Sequence, residues 1–187
     1  MARIELIENK ARIGEDQYGE FDLITEILGS VRGPFSVLMH SPGLAGKVCQ
    51  SGAQVRLGSQ LTMAERELAL LSTARENDAP YEWSAHAPNA RRNGVPESAI
   101  EAIRLCGDTS GLQPNERDII EFVRELLRTN RVSQERFDAL LSRHGARWLV
   151  ELTATIGQYQ YIAAINNVFE VNPSGGCEEL PIPAPGR

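Results

Sequence analysis

Glycine and proline fall between the apolar-periodic segments of this chain rather than inside short alternating runs, and that punctuation leaves room for helices and little else. The pattern predicts a first helix over 20–31, ended by Gly33-Pro34 before a short apolar turn, FSVLMH. Ser41-Pro42 opens a second, running to about Leu57, with Ser at the N-cap and Pro at the first helical position, where its missing amide costs nothing. Thr62 and Glu65 form a capping box, hydroxyl and carboxylate each serving a backbone amide, so a helix follows at about 63–77. Asp78 is the expected cap of the next, 79–92, which Asn93-Gly94 closes and in which Pro88 is a kink or an early end. Shorter signals place helices from Val95-Pro96 to Cys106, from Gln113-Pro114 to about Thr129, and from Ser133 to His144-Gly145. A long apolar helix over 146–170 follows, then a tail too rich in Pro and Gly to form a regular element. The predicted fold class is all-α, a compact helical bundle over 20–170 between an N-terminal extension, 1–19, and a C-terminal tail, 171–187.

Length and charge narrow the function classes. At 187 residues the chain suits one domain, and 19 Lys and Arg against 25 Asp and Glu give a net charge of -6, a poor match for nucleic acid. Three scattered cysteines, Cys49, Cys106 and Cys177, make neither a disulfide framework nor a four-ligand metal site. The charged N-terminus lacks the apolar core of a secretory signal, and no stretch is apolar enough for a membrane span, so the expectation is a cytoplasmic protein with no membrane partner. No P-loop or G-x-G-x-x-G is present to support a nucleotide cofactor.

Two features carry chemistry. Leu61, Met63, Ala64, Leu68, Leu70, Leu71 and Ala74 make one broad apolar arc at 100° per residue, and Glu67 falls at its centre. A carboxylate there must find a partner or keep its proton; it is a buried general acid or base, or half of a structural ion pair with an arginine. In YEWSAH, residues 81–86, Glu82 and His86 are i,i+4 neighbours, so the carboxylate can hold the imidazole in one tautomer, with Ala79, Trp83 and Ala90 on the adjacent apolar face. Such a pair is also compatible with a plain surface contact, or, joined by Glu67, with a metal site, although one histidine and two carboxylates is a thin ligand set and H-E-x-x-H is absent.

Together these residues resemble the carboxymuconolactone decarboxylase family and its alkylhydroperoxidase D-like relatives. The resemblance runs from HSPGLAGKV through LTMAERELALL, NDAPYEWSAHAPNARRNGV and QPNERDIIEFVRELL to VELTATIGQYQYIAAINNVF, and is strongest at 61–95. The peroxidase-like branch carries Cys-x-x-Cys-x-x-x-His after a glutamate; His86 and Glu67 match the histidine and the glutamate, while Ala79 and Glu82 stand where the cysteines would be. Without that pair a disulfide cycle is not expected. Glu-x-x-x-His, matched by Glu82 and His86, and the asparagine-glycine turn, matched by Asn93-Gly94, belong to the decarboxylase-like branch.

The resemblance implies a cofactor-free lyase or proton-transfer enzyme acting on a small carboxylated lactone or a related enolisable compound. Its catalytic residues would be His86 as proton donor, Glu82 orienting it, and Glu67 as buried relay or second acid. Tyr81, Trp83 and Arg75 are the candidate substrate-binding residues, Arg75 for a carboxylate, while Arg91 and Arg92 are expected to face solvent. No bound metal or organic cofactor is expected. Trp148, Tyr159, Tyr161 and Phe169 read as core or interface residues and His144 as a helix-end charge. Related proteins assemble, and the apolar 146–170 helix suits a homo-oligomer, a dimer, trimer or hexamer. The competing class is a catalytically silent helical binding or assembly protein, and convergence of Glu67, Glu82 and His86 on one closed apolar pocket discriminates between them.

Overall fold

The computed structural model describes residues 2–173 and 177–181. Eight α-helices build it: α1 (Tyr18–Leu28), α2 (Pro34–Leu38), α3 (Pro42–Leu57), α4 (Met63–Glu76), α5 (Pro80–Arg92), α6 (Glu97–Arg104), α7 (Pro114–Thr129) and α8 (Gln134–Phe169). No strand occurs among the described residues. The all-α expectation therefore holds, and the capping box at the start of α4 forms as read, Thr62 donating its backbone N–H to Glu65 Oε2 at 2.8 Å and Glu65 its own to Thr62 Oγ1 at 3.2 Å.

Several local expectations change. The FSVLMH stretch is not a turn: with Pro34 fixing the first φ, residues 34–38 coil into a short helix whose Val37 and Leu38 are buried. Asp78 is not the N-cap of α5; that position belongs to Ala79, while Asp78 takes a left-handed backbone (φ 46°) and turns its carboxylate to Arg75. Pro88 ends nothing, and α5 runs through it to Arg92. The break expected at Gly145 is kept: its backbone is non-helical (φ 82°, ψ 167°), so α8 consists of two helices that meet there at a kink. Met63 is exposed rather than on a buried arc, and from Glu67 to Arg75 α4 is buried around its whole circumference. Glu67 thus faces inward because its helix has no outside.

α4 is the axis of the bundle, packed by α5, α6, α7 and α8 around a core that includes Leu68, Leu71, Trp83, Ile100, Ile120 and Leu152. A second core, with Phe21, Ile24, Leu38, Met39, Cys49 and Ile162, joins α1, α2 and α3 to the far end of α8. The segment before α1 takes part in it: Ile7 is buried there, its amide on Ser36 O at 2.9 Å. Residues 171–173 and 177–181 form no regular element, as expected of the tail; the remainder of 171–187 lies outside the described residues. No helix is long and apolar enough to cross a membrane.

Candidate active site

The site lies where the two cores meet. α4 and α5 are joined by only three residues, 77–79, so they lie side by side and Glu67 on α4 comes opposite His86 on α5. Glu67 Oε2 is 3.1 Å from His86 Nδ1. An ionised carboxylate can only accept, so in that state of Glu67 the imidazole proton sits on Nδ1 and Nε2 faces away. Glu82, one turn before His86, places Oε2 3.8 Å from Nε2, too far for a hydrogen bond. Its other oxygen is taken: Asn166 Nδ2 on α8 donates to Glu82 Oε1 at 2.8 Å. Both glutamates are buried and His86 is partly open. The expected division of labour is therefore exchanged, for Glu67 holds the ring while Glu82 is held by α8.

Burial pushes the Glu82 carboxyl up, against the lowering influence of His86 and of the Asn166 hydrogen bond. Tyr159, on the same face of α8 as Ile162 and Asn166, meets the His86 ring edge-on with centroids 5.5 Å apart. Its phenol is also pushed up, by burial first and then by Glu82, so it stays protonated and can donate.

His86 and Glu82 open on a cleft of about 550 Å³, within the usual range for small-molecule sites. Its lining comes mainly from three helices and one loop, with Leu28, Pro34, Phe35, Pro173 and Cys177 completing the wall. α5 supplies Tyr81, Glu82, His86, Asn89 and Arg92; α3 supplies Cys49, Gly52 and Arg56; α8 supplies Gln158, Tyr159 and Ile162; and the loop before α2 supplies Ser30 and Arg32. That loop can approach because Gly33 has no side chain: a Cβ there would lie 2.0 Å from the Tyr81 hydroxyl, and its φ of 57° is one that glycine adopts without strain.

Of the six expected site residues, Glu67, Glu82 and His86 come together and Tyr81 lines the cleft. Trp83 and Arg75 do not join them. Trp83 is fully buried in the core and does not line the cleft. Arg75 is buried too, bonded to Asp78 and to the carbonyls of Arg104 and Pro181, so its guanidinium is spent on joining α4 to the α6 end and to the tail. Asn166, Tyr159, Arg32 and Arg56 were missed, and Arg92, expected in solvent, is exposed but contributes to the cleft wall. A polar residue at 166, seven after Tyr159 and four after Ile162 on one helical face, was the available signal for Asn166.

Among the described residues no group of three or more His, Cys, Asp and Glu is arranged to hold a metal ion. The geometry explains why, since Glu67 and Glu82 address opposite nitrogens of a single imidazole and cannot share one ion with it.

Residues 42–125 match the model of the carboxymuconolactone decarboxylase family. No curated protein matches the sequence. Solved structures do match the fold. An uncharacterized peroxidase-related protein with an alkylhydroperoxidase AhpD core, from Ralstonia eutropha JMP134, has TM-score 0.75 and 18% identity, covering 93% of each chain. An uncharacterized peroxidase-related protein from Silicibacter sp. TM1040 has TM-score 0.73 and 16% identity, over 93% of this chain and 92% of that one. The debrominase Bmp8, in complex with 2,3,4-tribromopyrrole, has TM-score 0.72 and 15% identity, over 94% and 95%. At such identities the likeness is one of fold. The chain thus carries the carboxymuconolactone decarboxylase family's pattern over residues 42–125, within an all-α fold of the AhpD-like type.

Proposed function

We propose that the cleft is the active site of a cofactor-free acid/base enzyme that moves a proton at carbon in a small enolisable compound, a carboxylated lactone being the best fit to the family pattern. The observation that carries this reading is the Glu67–His86 pair: Nδ1 is engaged at 3.1 Å, leaving Nε2 free beside the cleft. In a decarboxylation, the electron pair of the breaking carbon–carboxylate bond moves onto the lactone carbonyl oxygen as CO2 leaves. It returns to form a C–H bond with a second ring proton, which His86 Nε2 takes up before the step while the Nδ1 proton stays hydrogen-bonded to Glu67 throughout. Glu82, its carboxyl pushed up by burial, is a second proton reservoir beside that nitrogen and resupplies it. A debrominase with this fold binds a small heterocycle, which supports a cleft of this kind as a small-molecule site.

A peroxidase-like reading has less behind it. No described cysteine has another three residues away, and burial pushes the Cys49 thiol up, which keeps it from being a ready thiolate. The silent-scaffold alternative does not account for two buried glutamates facing one imidazole at the edge of a cleft.

The test is a screen of small lactones and 2-oxo acids in deuterated water. The enzyme should place solvent deuterium on the product carbon, and His86→Ala, Glu67→Gln and Glu82→Gln should each lower turnover by about 10²–10⁴ while remaining folded. A fully active His86→Ala would remove the assignment. Loss of melting temperature with activity retained per folded molecule would make the three residues structural.

A further inference from the structure

Arg56, like Arg32 and Arg92, lines the cleft with no carboxylate partner among the described residues, and of the three it is the one on the helix facing Tyr159, with its Nε anchored to that helix's own backbone. Most of the other arginines are committed to carboxylates: Arg91 to Glu97 and Glu178, Arg104 to Glu101, Arg128 to Glu76. The Arg56 Nε is tied back to the carbonyl of Gly52, one turn earlier on α3, at 3.2 Å. That bond fixes the direction of the guanidinium along the cleft wall and leaves both terminal nitrogens without an acceptor among the described residues. Cys49, Gly52 and Arg56 share one face of α3, and all three line the cleft.

Tyr159 faces the same cleft from α8. Its side chain is buried, yet its hydroxyl has no hydrogen-bond partner among the described residues and is not among the polar atoms sealed from solvent, so it opens on the cleft. The Arg56 charge acts on this phenol, drawing it down against the stronger upward push of burial and Glu82. Glu67 and Arg66 are the other charged groups that act on it. The phenol therefore remains an O–H donor, with the Arg56 guanidinium on the wall of the same cleft and the His86 ring against its edge.

We propose that Tyr159 and Arg56 form an oxyanion site next to His86, receiving on the hydroxyl and the free guanidinium nitrogens the negative charge that develops on a substrate carbonyl oxygen while His86 moves the proton at carbon. This inference deepens the proton-transfer reading and rests on it for the identity of the charge. The electron pair that reaches the carbonyl oxygen is held there by two donors, then returns to carbon with the proton, and neither donor changes its own protonation. Donors aimed at where charge develops, in a site walled from water, stabilise the transition state without reorganising. Glu82 does not oppose this, because its burial favours the uncharged form.

The test needs no knowledge of the substrate. The probe is p-nitrophenol, whose ionised form is a planar, delocalised oxyanion and is yellow. It is titrated with the protein at a pH where the free phenol is half ionised. The bound probe should show a larger ionised fraction than the free one, and Tyr159→Phe and Arg56→Gln should each weaken binding by about tenfold and cancel the absorbance change. Tyr159→Phe keeps the ring and so the packing on His86; circular dichroism melting of both variants confirms the fold. Absence of binding, binding as the neutral phenol, or wild-type binding by either variant overturns the pair. The two proposals fail separately. A probe that binds as described alongside a fully active His86→Ala sinks the proton-transfer reading alone. Turnover that depends on His86 alongside an unaffected probe sinks the oxyanion site alone.

Discussion

Glu82 is asked to be two things, a charge in a solvent-free place and a neighbour of His86, and burial outweighs the help it receives from His86 and Asn166. The linkage has a definite sign. Between the ordinary carboxylate value and the raised one, the folded chain keeps a proton that the unfolded chain has lost, so this group makes stability fall as pH rises through that window. Glutamine has nearly the same shape, keeps an oxygen for Asn166 and cannot ionise. Glu82→Gln should therefore melt with wild type near about pH 4 and above it by roughly 2–4 °C near about pH 8, followed by calorimetry across the range. A wild type that melts higher at the alkaline end would show that the ionised pair with His86 outweighs the cost of burial. The mutation should thus stabilise the protein and impair its chemistry together, as expected where an active site holds a group against its preference.

Among the helices, α4 shows how a local signal acquires a tertiary role. Glu65 closes the capping box with Thr62 and also accepts from Asn115 Nδ2 at 3.0 Å, at the start of α7, and from Trp148 Nε1 at 3.4 Å, on α8. Thr62→Ala loses the cap bond from the Glu65 N–H and the hydroxyl's bond to Glu65 Oε2, and should cost about 1 kcal/mol. Glu65→Ala leaves the buried Trp148 N–H and the half-buried Asn115 amide, on two other helices, unanswered, and should cost about 2–4 kcal/mol. Urea denaturation of both separates the two, and equal costs would mean the Asn115 and Trp148 contacts are energetically idle. Half of this was legible in the sequence. The box depends on residues three apart, and it was read correctly, as were the starts of α3 and α7 at Ser-Pro and Gln-Pro. What depends on another helix was not. Asp78 looked like a cap and was captured by Arg75; Trp83 shared the motif of His86 but is buried in the core; Arg56 sits in no motif and reaches the cleft only because α8 and α5 fold against α3. Spacing along one helix located Glu67, Glu82 and His86, whereas the residues around them come from α3, α8 and the loop before α2, whose approach no local pattern encodes.

Over the whole molecule, the outer face of α8 remains to be explained. Val150, Ala154, Gly157, Tyr161, Ala164 and Val168 follow each other at alternating steps of four and three and are all exposed. From 152 to 169 the helix has no charged residue, in a chain where charged residues make up 24%. A seam of this spacing, small at its centre and free of like-charge repulsion, is self-complementary, and we propose that it packs against its counterpart on a second copy of the chain. Light scattering should then report a particle larger than 20.6 kDa at micromolar concentration, and Gly157→Glu, at an exposed site with open space around it, should return it to one chain without loss of helicity. A wild-type particle of one chain would leave the seam unpartnered.

The tail has a practical consequence. Glu178 is paired with Arg91 at 2.5 Å, Leu180 packs on the main core, and Pro181 accepts from Arg75 at 2.7 Å, so the segment is fastened across α5 and brings Cys177 to the rim of the cleft. Of the three cysteines, Cys49 is buried and Cys106 half-buried, while Cys177 is exposed. A thiol-reactive fluorophore will thus find Cys177 first, in the unaltered protein, and sit at the mouth of the cleft. There its emission can report a small molecule entering before any turnover assay exists.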